Sequence, residues 1–537
     1  MQGHFFGHKG NRNPTRNPHC YNRKDQVASI LTRNMSLPPV TPMPMRLFNT
    51  LSGQVDELVP MDGKELRMYV CGPTVYDYGH IGNFRTFLEI DVLRRFLKLV
   101  GMPMRHVMNI TDVDDKIIRN AAAAGVPIGE YTPKYVDAFF EDLDALGVER
   151  PEIIARATEN IGRMVELIEK LAAVGAAYRT DDGSWYFRLR SFPEYGKLSK
   201  KDLSGMEDGA RVDVDEYEKD SARDFALWKA AKPGETSWET PIGRGRPGWH
   251  IECSAMSMNY LGDSFDLHAG GEDLIFPHHE NEIAQSESLS GQPLARYWFH
   301  PRFLLVEGQK MSKSLGNFFT IRDLVLRGHR PSSIRWLLTQ VPYRNQLNFT
   351  FDGLNAAASS VEKLRNFRFR LTSTQFPAGS NPAMAQLAEE TIAKMKSALD
   401  DDLNTAEAQA AMFDMLRKVN TALDAAEAHQ DDVKPLLGAL EQFDEIFGVL
   451  KDDDQVKMKA ILDWARTEGR EKEISPELLE IAGSAQLSDE QINQKLAEMD
   501  AARKARKFKE SDAIRAELVS ASIVVENTKD GVRWRRK

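Results

Sequence analysis

The sequence predicts an α/β fold in which a Rossmann-like parallel-sheet domain carries an insertion and is followed by a helical bundle and a small C-terminal domain. Two observations support this prediction. Apolar, strand-like segments at residues 66–71 and 104–110 alternate with helical periodicity at residues 81–100 and 115–124, which is the pattern of parallel βαβ units. Leu, Ala and Met then recur at helical spacing over residues 383–450, which predicts the bundle.

Composition limits the class of protein. A chain of 537 residues is too long for one hydrophobic core, so several domains are expected. No apolar run approaches the roughly 18 to 20 residues of a membrane helix, so we expect no membrane span. The three cysteines, Cys20, Cys71 and Cys253, are too few for a disulfide framework and fit a reducing cytoplasm. The formal net charge of -9 argues against indiscriminate binding of nucleic acid, although a local basic patch can still bind RNA.

The expected domains follow from changes in this pattern. Residues 1–45 contain a single acid, Asp25, and no apolar periodicity, so we expect a disordered N-terminal extension. An organellar transit peptide, or a start at Met35 or Met45, is the alternative. The expected boundaries are 46–150 and 248–345 for the two halves of the sheet domain, 151–247 for the inserted connective domain, 346–455 for the bundle, and 456–537 for a linker and the C-terminal domain.

Two short motifs indicate phosphate chemistry. Residues 79–83 (Gly-His-Ile-Gly-Asn) follow a strand and a turn and open an amphipathic helix, so backbone N–H groups and the positive helix terminus meet there. Residues 310–314 (Lys-Met-Ser-Lys-Ser) place two lysines between two glycines, where the backbone can move. Mobile cations near a triphosphate can stabilise the charge that develops on departing pyrophosphate. A solvated loop is the alternative for the lysine motif, but it does not explain the pairing of the two motifs.

Together the two motifs resemble the paired signatures of class I aminoacyl-tRNA synthetases. The resemblance implies attack of an amino-acid carboxylate on the α-phosphorus of ATP, with Mg²⁺, and transfer of the aminoacyl group to tRNA. Positioning and charge stabilisation supply most of the acceleration in such a reaction, so no nucleophile is assigned. The catalytic candidates are His80, which would donate to phosphate oxygens, and Lys310 and Lys313, which would stabilise the triphosphate.

Three separate stretches hold the residue types of a zinc site. They are Cys71 at the end of the first strand, Cys253 in the run 248–253, and the run 276–282 with its histidines and acids. On a helix that begins near residue 277, His278 and Glu282 share one face, and two thiolates, an imidazole and a carboxylate can coordinate Zn²⁺ tetrahedrally. His279 is also a near neighbour of Glu282, so spacing leaves the choice of histidine open. The alternative is that the cysteines are small buried hydrophobes and the histidines belong to a helix cap.

The stretches 68–77, 109–116, 248–256 and 276–284 are similar to those of cysteinyl-tRNA synthetases and occur in the same order. The match extends from about residue 46 to the C-terminus. It implies that the zinc ligands are Cys71, Cys253, His278 and Glu282. It also implies that one zinc ion selects the thiol of cysteine, because zinc prefers a soft thiolate to the hydroxyl of serine.

The same resemblance implies the binding residues and partners. The ATP site would be lined by Gly79, His80, Gly82, Asn83, Asp273, Lys310 and Lys313, and the amino-acid pocket by Thr111, Trp249 and His268. Without the family, each pocket residue has a plain interpretation as a core or helix-cap residue. Two positions depart from the family pattern: Asn83 stands where a second histidine is common, and Ala269 where glycine is common. The implied partners are tRNA(Cys), L-cysteine and ATP, for a protein expected to be monomeric.

The C-terminal end is basic, in contrast to the acidic whole: its last 37 residues contain eleven Lys or Arg and five Asp or Glu. The candidates for tRNA binding are Arg503, Lys504, Arg506, Lys507 and Trp534. The four cations are expected on one helix at residues 500–518, and the indole is expected to stack on a base. A solvated helix with a basic terminus is the alternative on charge alone. The resemblance implies a small anticodon-binding domain here.

Two other functions compete with this interpretation. The first is a related ligase that couples activated cysteine to a small amine, and the bundle and basic terminal unit favour tRNA as the acceptor instead. The second is a non-catalytic tRNA-binding paralogue. The presence of His80, both motif lysines and all four residues of the implied ligand set argues against it.

Overall fold

The computed structural model describes residues 45–201, 224–483, 487, 489–521, 523–528 and 531–536. Its strands are β1 (Arg46–Asn49), β2 (Gln54–Glu57), β3 (Leu66–Val70), β4 (Met104–Ile110), β5 (Ile153–Arg156), β6 (Ala177–Arg179), β7 (Trp185–Phe187), β8 (Phe225–Ala230), β9 (Gly245–Pro247), β10 (Phe265–Ala269), β11 (Ala295–Phe299), β12 (Leu305–Val306), β13 (Gln309–Lys310), β14 (Asn348–Phe349), β15 (Ile523–Thr528) and β16 (Gly531–Arg536). The expected N-terminal extension lies outside the described residues, except for Met45, which is buried.

The α-helices are α1 (Ile81–Leu99), α2 (Asp115–Ala124), α3 (Ile128–Tyr131), α4 (Pro133–Leu146), α5 (Ile161–Ala173), α6 (Trp249–Leu261), α7 (Glu280–Ser290), α8 (Ile321–Leu326), α9 (Pro331–Thr339), α10 (Phe351–Ser373), α11 (Pro382–Asp400), α12 (Thr405–Asp424), α13 (Val433–Phe447), α14 (Asp454–Thr467), α15 (Pro476–Gly483), α16 (Asp489–Lys504) and α17 (Phe508–Ser520). Within the described ranges, no helix has both the length and the apolar character needed to cross a bilayer.

The sheet that positions the site has five parallel strands in the order β11, β10, β3, β4, β5. Strands β3, β4 and β10 are largely apolar and buried, as a parallel sheet covered on both faces requires. The predicted α/β class is therefore confirmed. Strand β5 pairs with β4, so the sheet continues past the boundary that the sequence placed at residue 150.

The chain reverses its winding direction at β3. It runs outward through β4 and β5 on one side and returns through β10 and β11 on the other. Ligands of open α/β sheets bind in the crevice at such a point, beyond the carboxyl ends of the strands. The turn after β3 admits only glycine at Gly72, because a Cβ there would lie 1.7 Å from the carbonyl oxygen of Asn109. This tight turn brings the residues after β3 close to the end of β4.

The insertion contains an antiparallel sheet in the order β6, β7, β8, β9. Residues 202–223, part of its polar stretch, lie outside the described residues. Lys229 and Arg246 form ion pairs of 2.9 and 2.6 Å with Asp115 at the start of α2. Strand β9 leads directly into α6, and a Cβ at Gly248 would lie 2.1 Å from the carbonyl oxygen of Ala226. The insertion therefore fixes where α6 begins.

The predicted helices of the bundle are present as α11, α12 and α13, preceded by α10. One continuous hydrophobic core extends from the sheet through the bundle and includes Met458 of α14 and Leu478 of α15. The segment that begins the expected linker is therefore helical and packed. The last part of the chain has a small core of its own, which includes Ile492, Leu518 and Ile523.

The prediction of one helix at residues 500–518 is wrong. Two helices, α16 and α17, meet there and pack against each other. Arg506 has a φ of 57°, a left-handed conformation that ends the first helix. Folding back lets both helices bury apolar residues against the β15–β16 hairpin, which one continuous helix could not do. The basic residues predicted to share one helix therefore cluster at a junction between two.

Arg335 of α9 connects the sheet domain to the bundle. Its side chain is 1% exposed and lies 2.6 Å from Asp91 Oδ2 of α1. It also donates to the carbonyl oxygens of Leu146 and Ile446, at 3.2 and 3.3 Å, near the C-termini of α4 and α13. A cation is favourable at helix C-termini, so this guanidinium stabilises two helix ends and one buried carboxylate together.

We expect Arg335→Leu to lower the free energy of unfolding by about 3 kcal/mol or more, because it leaves the buried Asp91 carboxylate without this partner. Arg417→Leu is the matched control, since its ion pair with Asp414 is exposed and should contribute less than about 1 kcal/mol. Urea unfolding of both variants, followed by tryptophan fluorescence, measures the difference. Equal losses in the two variants would show that Arg335 has no special role.

Candidate active site and metal centre

The first motif forms the N-terminus of α1. His80 is the N-cap residue, and its Nδ1 accepts a hydrogen bond of 3.2 Å from the backbone N–H of Asn83. The Asn83 side-chain oxygen accepts from the backbone N–H of His80 at 3.1 Å, which completes a capping box. Burial lowers the pKa of His80 to about 4, so the ring is neutral. Because Nδ1 accepts, the proton of the neutral ring lies on Nε2, which is the available donor.

The second motif lies beside the first. Phe318 meets the His80 ring edge-on at 5.2 Å between centroids, and the backbone of Thr320 bridges to His80. A Cβ at Gly82 would lie 3.4 Å from the terminal methyl of Met311, which shows how closely the lysine motif approaches the helix terminus. The two motifs that the sequence analysis paired are therefore neighbours in the fold.

The lysine loop has an internal frame that sequence analysis missed. Ser312 N–H donates to the Asn317 side-chain oxygen at 2.8 Å, and the Asn317 amide donates to the Lys310 carbonyl oxygen at 3.2 Å. Lys310 and Lys313 are both exposed. The Lys313 ammonium lies 2.6 Å from a carboxylate oxygen of Asp77, and the hydrogen bond between them raises the pKa of Lys313. Asp77 lies two residues before the first motif, and this proximity was the only indication in the sequence that it could contact the lysine loop.

The candidate zinc ligands converge beyond the ends of β3 and β10. Cys71 Sγ lies 3.8 Å from Cys253 Sγ and 3.6 Å from Glu282 Oε1. His278 Nε2 lies 3.1 Å from the same oxygen of Glu282. All four side chains are buried, and one ligand atom from each lies within 4.8 Å of the others. Helix α7 itself begins at Glu280, and a preceding turn, Ile275–His279, carries His278 one turn before Glu282.

These separations fit a tetrahedral zinc ion. Zinc bond lengths of about 2.3 Å to sulfur and about 2.0 Å to nitrogen or oxygen imply separations of about 3.8 Å between two thiolates, about 3.5 Å between thiolate and carboxylate oxygen, and about 3.3 Å between imidazole nitrogen and carboxylate oxygen. The corresponding distances here are 3.8, 3.6 and 3.1 Å. The donor set has the chemistry and the spacing that Zn²⁺ requires.

A second set, Cys71, His268, His279 and Glu282, also lies within 4.8 Å. It shares two members with the first, so one ion cannot use both in full. His268 Nε2 is 2.9 Å from Glu282 Oε2, which departs further from the roughly 3.3 Å between two zinc ligands than the 3.1 Å between His278 and Glu282 does. The second set would also leave the Cys253 thiol unused beside Cys71. Geometry therefore favours the set with His278.

Electrostatics at this cluster suits a cation. Burial acts to raise the pKa of Cys253, but its hydrogen bond with Cys71 and the charge of His278 bring it down to about 6. Burial and the neighbouring Cys253 raise the pKa of Cys71 well above its usual range. Burial acts to raise the pKa of Glu282, but His268 and His278 lower it to about 2. Without a cation only one thiolate is easily ionised, and a divalent cation would stabilise both.

The three expected pocket residues surround the cluster at different depths. Trp249 is 41% exposed and stacks on His278 at 4.2 Å between centroids. His268 is buried and stacks on Trp298 at 4.4 Å. Thr111 is also buried, and its hydroxyl donates to Glu252 Oε2 at 3.1 Å, next to Cys253 in the chain. Sequence analysis missed Trp298 and Glu252, which have no motif spacing to reveal them.

Asp273 lies in a short turn after β10. A Cβ at Gly271 would lie 2.5 Å from an Asp273 carboxylate oxygen, and a Cβ at Gly270 would lie 2.8 Å from the buried His279 ring, so a side chain at either position would require a neighbour to shift. Ala269 is the last residue of β10, where extended backbone accepts its methyl group. The departure from glycine at this position is therefore accommodated.

Comparison with known proteins identifies the family. The model of the class I (C) tRNA synthetase catalytic domain matches residues 57–359, and that of the DALR domain matches residues 394–451. A cysteine–tRNA ligase of Koribacter versatilis is 63% identical over 495 residues, covering 92% of this chain and all of that protein. The chain belongs to the cysteinyl-tRNA synthetase family. It is therefore an aminoacyl-tRNA synthetase of class I.

Other relatives agree with this family. A cysteine–tRNA ligase of Solibacter usitatus is 51% identical, again over 92% of this chain and all of that protein. A structure of Mycobacterium tuberculosis methionyl-tRNA synthetase in complex with methionyl-adenylate aligns with a TM-score of 0.53 at 17% identity, over 77% of this chain and 94% of that chain. At that identity the likeness shows the class I fold alone.

The DALR match places this domain of the synthetase in the bundle, before the basic terminal unit. Three of the basic candidates, Arg503, Lys504 and Arg506, are exposed at the end of α16 and the junction that follows. Lys507 is exposed as well. Trp534 donates to the side-chain oxygen of Asn493 at 2.8 Å, and its half-buried ring lies 6.2 Å from Phe369 of α10. The indole therefore lines a cavity of about 760 Å³ beside α10 and does not project from the surface.

We expect one zinc ion per chain, held by Cys71, Cys253, His278 and Glu282. Cys253→Ser and His278→Asn should each lose the metal, because each removes a ligand. His279→Asn is the matched comparison, since it changes the adjacent histidine but removes none of the four ligands, and it should retain more zinc than His278→Asn. Elemental analysis after chelator washing measures the stoichiometry. Metal loss in the His279 variant with retention in the His278 variant would favour the second set.

Proposed function

We propose that the chain is a cysteine–tRNA ligase that activates L-cysteine with ATP and Mg²⁺ and transfers the cysteinyl group to the 3′ end of tRNA(Cys). The observation that carries this proposal is the convergence of Cys71, Cys253, His278 and Glu282 at the switch point of the sheet, with zinc-like spacing. A bound zinc ion supplies a soft Lewis acid that prefers a thiolate to a hydroxyl. Free, buried cysteines support a reducing cytoplasm as the compartment.

The residues around the cluster would orient the amino acid. Trp249 covers His278 and is the exposed aromatic surface at this site, so we assign it to the wall of the cysteine pocket. His268 donates to Glu282 and stacks on Trp298, which fixes the carboxylate from the side opposite His278. Thr111 and Glu252 support α6 next to Cys253. A rigid, closely packed site of this kind excludes larger amino acids by shape.

The helix terminus and the lysine loop would hold the triphosphate. Neutral His80 offers its Nε2–H to a phosphate oxygen, next to the positive end of α1. Lys313 would exchange Asp77 for phosphate oxygens as the cysteine carboxylate attacks the α-phosphorus and pyrophosphate leaves. Lys310 would stabilise the same charge from the β12–β13 side. We assign Gly79, Gly82, Asn83 and Asp273 to the frame of this nucleotide site.

Asn83 explains how the motif functions without its second histidine. Its side chain closes the capping box and fixes the His80 ring through Nδ1. The residue therefore contributes by orienting His80, and it adds no charge of its own.

We expect Lys313→Ala to slow adenylate formation on the order of a hundredfold, equivalent to about 3 kcal/mol, because its charge matters most as pyrophosphate leaves. Binding of cysteine should change little. Lys394→Ala, an exposed lysine of α11, is the control for loss of one charge. Pre-steady-state ATP–pyrophosphate kinetics separate the chemical step from binding. An unchanged chemical step with weaker cysteine binding would refute the assignment.

The basic junction of the terminal unit would contact tRNA phosphates. Replacing Arg503, Lys504, Arg506 and Lys507 by Gln should leave cysteine-dependent pyrophosphate exchange unchanged and weaken tRNA charging. The magnitude of the slope of log affinity against log salt concentration should fall by about 2 to 3. Each phosphate contact contributes roughly 0.7 to that slope on single-stranded RNA, because it releases counterions. The ion pairs of Lys504 with Asp500 and of Lys507 with Glu510 are exposed, so the fold should tolerate their loss.

The matched control replaces four exposed cations elsewhere, Arg163, Lys170, Lys394 and Arg417, by Gln. It removes the same net charge from other surfaces. An identical loss of tRNA affinity and salt slope in both variants would mean that net charge acts without a specific contact. Normal charging by the terminal variant would remove the RNA-binding assignment from this unit.

A further inference from the structure

A row of hydrogen bonds connects the surface turn after β1 to the metal cluster. Thr50 Oγ1 lies 2.7 Å from His300 Nδ1. His300 Nε2 lies 2.8 Å from His279 Nδ1, and His279 Nε2 lies 3.3 Å from Cys71 Sγ.

The direction of these bonds follows from the last acceptor. When Cys71 binds zinc as a thiolate it can only accept, so His279 donates through Nε2–H and its Nδ1 must accept. His300 then donates through Nε2–H, and its Nδ1 must accept from the Thr50 hydroxyl. Each ring has one donating and one accepting nitrogen, which is the neutral imidazole with its proton on Nε2. In each of the three hydrogen bonds, one atom is therefore the donor and the other is the acceptor.

The fold holds these rings in place. His279 and His300 are buried, and the Trp298 ring lies beside both, at 5.3 and 6.1 Å between centroids. The backbone N–H of Thr50 donates to the Trp298 carbonyl oxygen at 3.1 Å. The backbone of Thr50 is thus bonded to the edge strand β11 of the main sheet. This bond holds the Thr50 hydroxyl near the His300 ring.

We propose that Thr50, His300 and His279 are positioning residues that hold the Cys71 thiolate as the acceptor of a directed N–H···S hydrogen bond and so tune its bond to zinc. A hydrogen bond to a charged acceptor is stronger than one between neutral groups, and it withdraws electron density from the sulfur. Residues that hydrogen-bond to metal ligands orient those ligands and change the affinity for the metal. This inference rests on the proposed zinc site with Cys71, Cys253, His278 and Glu282.

The test uses Thr50→Val, which keeps the shape of the side chain and removes the hydroxyl that sets the direction of the row. Thr50→Ser should restore the hydroxyl. Ser52→Ala is the matched control, because its hydroxyl lies in the same turn and bonds Asp56 at 2.8 Å, away from the rings. The probes are Zn²⁺ with a competing chelator, and Co²⁺ with the near-ultraviolet sulfur-to-cobalt charge-transfer band.

We expect Thr50→Val to raise the zinc dissociation constant roughly tenfold, because the Cys71 thiolate loses the orientation that the row imposes and this loss outweighs the gain in donor strength of the sulfur. The charge-transfer band should move to lower energy, since a thiolate with a weaker hydrogen bond gives up electrons more easily. Thr50→Ser and Ser52→Ala should both match the unchanged protein.

Unchanged affinity and an unchanged band in Thr50→Val would overturn the inference while leaving the zinc proposal intact. Equal changes in Thr50→Val and Ser52→Ala would also overturn it, because they would show an effect of the turn and not of the row. If the unchanged protein itself held no zinc, the proposed metal site would fail first. The three results are distinguishable from one another.

Discussion

The parallel pairing of β3 with β10 brings Cys71 beside the residues that follow β10, and the arrangement of the site depends on this approach. Cys71 leaves β3 at a turn where only glycine fits next, and Cys253 enters on α6, whose start is fixed by the insertion. Their sulfurs meet at 3.8 Å although they lie 182 positions apart in the chain. Two thiols, an imidazole and a carboxylate therefore lie together at the spacing of a candidate metal site.

The phosphate side of the site is built differently. It uses the half-buried His80 at the N-terminus of α1 and the exposed lysines of a loop held by Asn317. The metal side is rigid and buried, and the phosphate side has charges that can change partners, as Lys313 can with Asp77. A rigid metal side suits the selection of one substrate group by its chemistry. Charges that can change partners suit the departure of another group.

Much of this could be predicted from the sequence, because its signals are local. Strand and helix periodicity predicted the parallel sheet and the bundle, and the two phosphate motifs carry their own spacing. The helix break at Arg506 could not be predicted, because the basic run has good helix propensity and only packing against the β15–β16 hairpin ends the helix. Spacing also left His278 and His279 open, and only the three-dimensional distances separate their roles.

Other residues gave no sequence signal at all. Trp298 and His300 come from β11 and the residue after it, and their contacts with His268 and His279 arise from sheet order and not from chain order. Thr50 is a turn residue, and its hydroxyl lies 2.7 Å from His300, which is 250 positions away in the chain. Such long-range partners become visible only once strands distant in the chain are placed side by side.

X-ray absorption at the zinc edge of the purified protein tests the central claim, that zinc is bound by two thiolates, one imidazole and one carboxylate. The ligand set with Cys71, Cys253, His278 and Glu282 predicts two sulfur neighbours at about 2.3 Å and two nitrogen or oxygen neighbours at about 2.0 Å. A first shell with a single sulfur and three nitrogen or oxygen neighbours would contradict it and would place the ion among Cys71, His268, His279 and Glu282.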